Sequence, residues 1–218
     1  MLLLFDLDGT LTDSSPGIIR CINHALRELG HQAVPDHRVL GLIGTPLAEI
    51  FGTLLDSGDV VVLDAAVAAY RRRFNDVGIF ENALFPGIID ALHGFRRSGH
   101  ALQIVTAKPA VAARRVIEHF DIARFFDAVH GPDLGARTCQ KADLVGAALN
   151  RMGPRTGLAM MIGDRAEDVL AARAHDIPGI GVGWGYGSRQ DLDAAGPAFV
   201  AESVAELVEW VESAGTEQ

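Results

Sequence analysis

Lysine, cysteine and long apolar stretches are scarce in this chain of 218 residues. Its two cysteines, Cys21 and Cys139, lie far apart and show no metal-ligand spacing, so we expect reduced thiols in a cytoplasmic protein. The apolar run at the start is too short for a membrane span or a signal sequence. The formal net charge of -9 argues against nucleic acid or an anionic membrane as a partner, since an acidic surface gains nothing from counterion release.

Only two of the 19 basic side chains are lysines, Lys108 and Lys141, and arginine supplies the others. Lysine is therefore not the residue that this chain ordinarily uses for positive charge on its surface. Codon bias explains the scarcity but not the positions of the two that remain. Both lie in stretches that carry other candidate site residues, where an ammonium acts as a compact point charge.

Two carboxylates follow the opening apolar run directly, in the sequence Asp6-Leu-Asp8-Gly9-Thr10. The run predicts a central parallel strand, and ligands of open α/β sheets bind at the carboxyl ends of such strands. Side chains two positions apart in an extended backbone point to the same side, so Asp6 and Asp8 can address one bound group. Mg2+, which prefers oxygen ligands, would relieve their repulsion. An acidic strand-to-helix turn with capping duties is the simpler alternative.

The stretch 14–84 contains only helical patterns. Apolar residues recur at helical spacing over 17–29, and further helices are predicted from about Asp36, over 46–55 and over 59–75. A helical block between a first strand and an α/β remainder indicates an inserted domain. The run Arg71, Arg72 and Arg73 could bind a substrate anion, although such runs more often form a solvated face.

From Pro86 onward, helices and strands alternate. Helices are predicted over 88–97, 110–120, 142–149 and 204–211, and strands over 101–106, 126–130, 158–163 and 198–200, with a further strand near 177–182 that opens into the glycine-rich stretch 183–187. The glycines are expected to let the backbone pass close to the core. We therefore predict an α/β fold, a doubly wound, Rossmann-like parallel sheet formed by 1–13 and 85–218, with an all-helical insertion over 14–84.

Four stretches, in this order, resemble the signatures of the haloacid dehalogenase superfamily of phosphatases. They are Asp6 to Thr10, Thr106-Ala107-Lys108, Lys141, and Gly163-Asp164 with Asp168. The resemblance implies that Asp6 is the nucleophile and Asp8 the general acid and base. It also implies that Thr106 hydrogen-bonds the transferring phosphoryl group and that the Lys141 ammonium neutralises both the phosphate and Asp6.

The resemblance extends to the metal site and the substrate. Mg2+ would be held by the Asp6 side chain, the Asp8 carbonyl and Asp164, while Asp168 would bind through water or orient Lys141. Substrate would contact a second set of residues: Gly9, Thr10, Thr45, Ala107 and Lys108. The helical insertion would be a mobile cap, and Thr45 could equally belong to a plain helix–helix turn.

The capped branch that this chain resembles contains phosphoglycolate phosphatases. The stretch 78–87 and the sequence Gly163-Asp164-Arg165 are closer to members described as 5'-nucleotidases or only as phosphatases. The expected reaction is Mg2+-dependent hydrolysis of a small phosphate monoester through an aspartyl-phosphate. Two alternatives remain: a sugar-phosphate mutase of the same superfamily, and a phospho-accepting signalling domain without catalysis. The oligomeric state is not indicated by the sequence.

Overall fold

A computed structural model describes residues 1–133, 140–152 and 159–216. The chain divides into two units, one formed by Met1–Thr12 and Leu84–Gln218 and the other by Asp13–Ala83. Two short strands, β2 (Thr12–Asp13) and β3 (Ala83–Leu84), lie where the chain passes from one unit to the other. Residue Cys139 and most of the loop that precedes Lys141 lie outside the described residues.

The larger unit is built on a six-stranded parallel sheet. Its strands are β1 (Leu2–Phe5), β4 (Ala101–Val105), β5 (Ala128–His130), β6 (Ala159–Gly163), β7 (Gly179–Val182) and β8 (Phe199–Ala201). Their order across the sheet is β5-β4-β1-β6-β7-β8. The chain thus builds outward from β1 on one side and then on the other, which is the doubly wound arrangement that the sequence predicts.

Strand β1 is central because every one of its residues is apolar. Leu2, Leu3, Leu4 and Phe5 are each no more than 2% exposed. A strand without alternation is suited to burial on both faces, and each such side chain contributes roughly 1.5–3 kcal/mol on burial. In register, Phe5 lies opposite Ile104 of β4 and Ile162 of β6, so these three strands end at the same level.

Helices connect these strands, as the alternating pattern predicts. They are α5 (Ile88–Arg97), α6 (Ala110–His119), α7 (Lys141–Met152), α8 (Ala166–Arg173), α9 (Arg189–Ala195) and α10 (Val204–Thr216). The predicted fold class is confirmed. The sequence did not predict α9 or the short strands β2 and β3, and the other differences are at element ends. Strand β4 ends at Val105 and leaves Thr106 outside it, α7 begins at Lys141 itself, and α10 continues to Thr216 instead of ending near Val211.

The smaller unit, described by itself, contains four α-helices. They are α1 (Ser15–Glu28), α2 (Asp36–Leu40), α3 (Leu47–Leu55) and α4 (Val60–Asp76). Helix α1 packs against α4, and α3 packs against α4 through aromatic rings. The rings of Tyr70 and Phe74 stack at 5.3 Å, and Phe51 meets Tyr70 edge to face. None of the helices in the described parts of the chain is long and apolar enough to cross a membrane.

A polar network ties α1 and α4 to the segment that follows them. Arg73 donates from both terminal nitrogens to Glu81, at 2.6 and 3.0 Å, and also to the Sγ of buried Cys21 at 3.1 Å. Arg20 adds a further bond to Glu81. The hydrogen bond from Arg73 lowers the pKa of Glu81, whereas burial raises the pKa of Cys21.

This network predicts a pH-dependent contribution to stability. Because the pKa of Glu81 is lowered on folding, its stabilising effect is present above the unfolded carboxyl pKa and is lost as pH falls through the folded value. We expect Glu81→Gln to lower the free energy of unfolding by about 1 kcal/mol at pH 7 and by progressively less as the pH is lowered toward 3. Urea unfolding at pH 7 and at pH 3, followed by circular dichroism, measures the free energy of unfolding at each pH.

Glu28→Gln is the matched control, since Glu28 pairs with Arg72 on an exposed surface. Its effect should stay within about 0.5 kcal/mol. A loss in Glu81→Gln that is equally large at pH 3 and pH 7 would contradict the assignment of charge as its cause.

Candidate active site

Three polar side chains lie directly beyond the carboxyl ends of adjacent strands. Asp6 follows β1, Thr106 follows β4 and Asp164 follows β6, and all three are no more than 6% exposed. Strand β1 is the point at which the sheet order reverses, because β4 and β6 flank it and the chain winds away on both sides. Crevices at such switch points are where open α/β sheets bind their ligands.

Asp6 is held by one of the two lysines. The Lys141 Nζ lies 3.0 Å from Asp6 Oδ2 and also contacts Asp168 Oδ1. Burial disfavours the ammonium, but the two carboxylates outweigh it and raise the pKa of Lys141, so this side chain stays charged. The other Asp6 oxygen, Oδ1, is buried and has no hydrogen-bond partner among the described residues. Only one of the two Asp6 oxygens is therefore engaged by the residues described.

Asp168 contacts Lys141 and also caps a helix. Helix α8 begins at Ala166, between Asp164 and Asp168, as the four-residue spacing predicts. Asp168 is fully buried, and its Oδ2 accepts the backbone N–H of Arg165 at 3.0 Å, which caps the helix. Burial raises the pKa of Asp168, and the adjacent Lys141 ammonium opposes that rise. Of the two roles considered for Asp168, this geometry favours orienting Lys141.

Asp164 is surrounded by donors from two segments. Its Oδ2 accepts backbone N–H groups from Tyr186 at 2.8 Å and Gly187 at 3.2 Å, and its Oδ1 accepts the Thr10 hydroxyl at 3.4 Å. Burial raises the pKa of Asp164 to about 6, and the nearby Asp6 carboxylate adds to that rise. Gly9, with φ +86, gives Asp164 room, because a Cβ there would lie 2.4 Å from Oδ2.

Asp8 is paired with the second lysine. Lys108 Nζ donates to both Asp8 oxygens, at 2.9 and 2.7 Å, and only 7% of the lysine side chain is exposed. The Lys108 backbone N–H donates to Thr106 Oγ1, which closes the turn after β4. In this structure, the repulsion between Asp6 and Asp8 is thus relieved by two separate ammonium groups, Lys141 for one and Lys108 for the other.

The carboxylates form a group that fits a divalent cation. Oxygens of Asp6, Asp164 and Asp168 lie within 4.8 Å of one another, and all three residues are buried. Lys141 supplies one positive charge to this group, so two negative charges remain uncompensated within it. Oxygen ligands with surplus negative charge are what Mg2+ prefers in proteins. Asp6 Oδ1 has no hydrogen-bond partner in the described part of the chain, which also fits an oxygen that binds a cation.

Some predicted residues are not brought into this group. Ala107 is exposed beside Lys108. In the smaller unit, Thr45 is exposed and its hydroxyl donates to the Leu42 carbonyl at 2.8 Å, which is a local turn contact. Of the arginine run, Arg72 pairs with Glu28 and Arg73 with Glu81, so both have structural partners. Arg73 also lines a cavity of about 490 Å3 in that unit.

The residues 183–187, which we call the glycine loop, contribute more than the sequence indicated. The sequence suggested only close passage of the backbone, whereas the structure uses backbone N–H groups of this loop to hold Asp164. Trp184 fastens the loop by donating its indole N–H to the Thr10 carbonyl at 3.1 Å. A signal was present, because the strand predicted near 177–182 belongs to a parallel sheet, and the loop after such a strand lies at the same sheet edge as Asp6 and Asp164.

Comparisons with known proteins agree with this geometry. A 5'-nucleotidase from Pseudomonas aeruginosa is 37% identical over 97% of this chain and 95% of its own length. The tyrosine-protein kinase PtkA from Mycobacterium tuberculosis is 35% identical over 93% of this chain and 68% of its own. The crystal structure of a predicted phosphatase from Clostridium acetobutylicum superimposes with a TM-score of 0.88 at 34% identity, covering 97% of this chain and 98% of the other.

The family model described as haloacid dehalogenase-like hydrolase matches residues 3–182, a span that includes every carboxylate and lysine of the site. The resemblance inferred from the four stretches is confirmed, and with it the assignment as a hydrolase. This chain belongs to the haloacid dehalogenase-like hydrolase family.

Proposed function

We propose that the protein is a Mg2+-dependent phosphatase that hydrolyses a small phosphate monoester through an aspartyl-phosphate on Asp6. One observation carries the proposal. The Asp6 carboxylate is buried, one of its oxygens is fixed by Lys141, and the other has no hydrogen-bond partner among the described residues. A carboxylate held in this way is desolvated and oriented for attack.

In the first step, Asp6 Oδ1 attacks the phosphorus atom and the bond from phosphorus to the ester oxygen breaks. Asp8 gives its proton to the departing oxygen, which leaves as an alcohol. Protonated Asp8 no longer forms an ion pair with Lys108, so proton uptake frees its side chain to turn toward the ester oxygen. Lys141 and the Thr106 hydroxyl stabilise the negative charge on the transferring group.

In the second step, Asp8 removes a proton from water, and the resulting hydroxide attacks phosphorus. The bond to Asp6 breaks, inorganic phosphate leaves, and Asp8 carries the proton that the next cycle needs. Asp6 is regenerated as a carboxylate. The helical unit acts as a cap in this proposal, because excluding bulk water strengthens each electrostatic contact to the phosphoryl group.

Mg2+ would be held by the Asp6 and Asp164 side chains with the Asp8 carbonyl, while Asp168 keeps Lys141 in place. When bound, the ion supplies positive charge that offsets the phosphoryl oxygens. Uncatalysed monoester hydrolysis is slow enough that metal and lysine together must contribute much of a barrier reduction on the order of 20 kcal/mol.

For the substrate, we propose nucleoside 5'-monophosphates ahead of phosphoglycolate. The sequence Gly163-Asp164-Arg165 and the stretch 78–87 both favour the nucleotidase-like branch, and the Pseudomonas aeruginosa relative bears that name. The molecule that accepts the phosphoryl group must also be identified, because a mutase or a kinase would transfer this group to a hydroxyl instead of to water.

Phosphate release from nucleoside monophosphates, phosphoglycolate, sugar phosphates and pyrophosphate, measured with and without EDTA, tests this proposal. We expect EDTA to abolish release and added Mg2+ to restore it, because two negative charges of the carboxylate group otherwise face the substrate. In 18O-labelled water, the phosphate should carry one labelled oxygen.

Two results would overturn the proposal. One is full turnover in EDTA, and the other is transfer to a second substrate molecule without label from water, as a mutase would give. Slow phosphorylation of the protein in a single turnover, without release, would instead indicate the signalling domain.

A further inference from the structure

His175 takes no part in the reaction steps on Asp6 and Asp8, but it contacts the helix that carries Lys141. Its Nε2 lies 2.7 Å from the carbonyl oxygen of Ala142, the second residue of α7. A carbonyl oxygen only accepts hydrogen bonds, so Nε2 carries a proton and donates it. The neutral imidazole in this tautomer and the charged imidazole both make the bond.

Gly146 leaves space for the His175 ring. A Cβ at this position would lie 2.9 Å from the His175 Cε1 and 3.3 Å from Nε2, so alanine there would displace the ring. Within an α-helix, the Ala142 carbonyl accepts the N–H of residue 146. Because residue 146 has no side chain, the second lone pair of that carbonyl remains open to a donor from outside the helix.

The backbone of His175 is fixed by the turn that ends α8. Its N–H donates to the Ala172 carbonyl at 3.0 Å, and Asp176, which follows it, has φ +54 in the left-handed region. The imidazole therefore projects from a defined point at the end of α8 toward the start of α7.

Helices α7 and α8 are thus joined at two points. At one, the Lys141 ammonium contacts Asp168 in the first turn of α8, and at the other, His175 donates to the first turn of α7. Between them the helices pack through small buried side chains: Val145 and Ala148 of α7, and Ala171 and Ala172 of α8. The position of the α7 start relative to α8 is therefore set by both contacts.

The Lys141 ammonium reaches two carboxylates at once, Asp6 Oδ2 at 3.0 Å and Asp168 Oδ1. Its side chain has four rotatable bonds, so a double contact of this kind depends on where the backbone of residue 141 lies. Lys141 is the first residue of α7, and the first turn of a helix is the part that frays most readily. A hydrogen bond to the carbonyl of the next residue holds this turn in place.

We propose that His175 is a positioning residue for Lys141. Its hydrogen bond to Ala142 fixes the first turn of α7 at the place from which the Lys141 ammonium reaches both Asp6 and Asp168. This inference rests on the proposed function in one respect, that the Lys141 ammonium stabilises the transferring phosphoryl group.

Two substitutions of equal length separate the hydrogen bond from the packing of the side chain. His175→Gln keeps an N–H donor near the position of Nε2, whereas His175→Met fills the same space without a donor. We expect His175→Met to lower kcat about tenfold, because the ammonium is displaced from the phosphoryl group, and His175→Gln to stay within about threefold of the wild type.

The scarcity of lysine provides a direct readout of position. Protein labelled with 15N-lysine contains only two ammonium groups, those of Lys108 and Lys141, and the spectrum of Lys108→Met identifies the Lys141 signal. In the substrate-free protein, His175→Met should shift or broaden the Lys141 signal and leave that of Lys108 in place. His175→Gln should leave both signals where they are in the wild type.

An unchanged Lys141 signal in His175→Met, an equal change in both His175 variants, or a shift of both lysine signals would overturn the inference. If His175→Met does not fold, Gly146→Ala takes its place, since it displaces the ring from the opposite side. Alanine favours the helix more than glycine does, so a change there cannot come from a weaker α7. Gly146→Ala should shift the Lys141 signal alone, and no shift would refute the inference.

The two proposals fail in different ways. A displaced Lys141 signal together with wild-type kcat would uphold the positioning role of His175 and refute the role of Lys141 in the proposed reaction. A low kcat in His175→Met with an unmoved Lys141 signal would refute the positioning role and leave the proposed function intact.

Discussion

Asp6→Asn is expected to abolish phosphate release while leaving the fold intact. Removing a nucleophile that forms a covalent intermediate slows turnover by a factor on the order of 10^5. The amide has the shape of the carboxylate, and neutralising Asp6 removes its repulsion with Asp164, which raises the pKa of that residue. This relief offsets the loss of the ion pair with Lys141, which keeps its contact with Asp168, so we expect the thermal unfolding midpoint to stay close to that of the wild type. Phosphate release from an aryl phosphate and thermal unfolding are the two measurements.

Asp8→Asn is the matched comparison. An aryl oxide leaves without a proton, so the first step can proceed in this variant while the second, which needs Asp8 as a base, cannot. Acid-quenched protein should then carry labelled phosphate in Asp8→Asn and none in Asp6→Asn. Labelling or wild-type turnover in Asp6→Asn would show that another residue is the nucleophile.

Lys141→Met is expected to damage both stability and activity. Lys141 is the ammonium that both Asp6 and Asp168 contact, and its removal leaves buried carboxylates without their partner. Breaking a buried ion pair from one side costs about 3–5 kcal/mol. Loss of a positive charge beside the transferring phosphoryl group should lower kcat by a further factor on the order of 10^3. Urea unfolding and steady-state kinetics measure the two effects separately.

The double variant Lys141→Met with Asp168→Asn separates these effects. It removes one surplus carboxylate, so part of the lost stability should return, whereas activity should not, because the phosphoryl group still lacks its ammonium. Lys141→Met with wild-type kcat would contradict the assigned role. Recovery of activity in the double variant would show that the damage was structural alone.

The fold and most of the carboxylate group were predictable because both depend on local patterns. An apolar strand followed by Asp6 and Asp8, and another followed by Asp164 and a helix start before Asp168, specify which residues reach one sheet edge. The contact of Lys141 with Asp6 was predicted, whereas the partner of Lys108 was not. Lys108 was assigned to substrate, and the structure pairs it with Asp8, since spacing does not determine which of two nearby anions a flexible ammonium reaches.

The glycine loop illustrates a second kind of information that spacing does not carry. Every residue except proline has a backbone N–H group. The residue types at 183–187 therefore do not indicate that two of these groups donate hydrogen bonds to Asp164. Side-chain motifs in the sequence identify the groups that react. The groups that hold them in place are partly backbone N–H groups, and these can be identified only from the folded structure.

The central position of β1 has a consequence for synthesis on the ribosome. Leu2 pairs with Ala101 on one side and with Ala159 on the other, so this apolar segment lacks a complete set of strand partners until more than 150 further residues have been added. At translation speeds of about 5–20 residues per second, that interval is roughly 8–30 s. During that interval the nascent chain exposes an unpaired apolar strand, which is the kind of surface that chaperones bind.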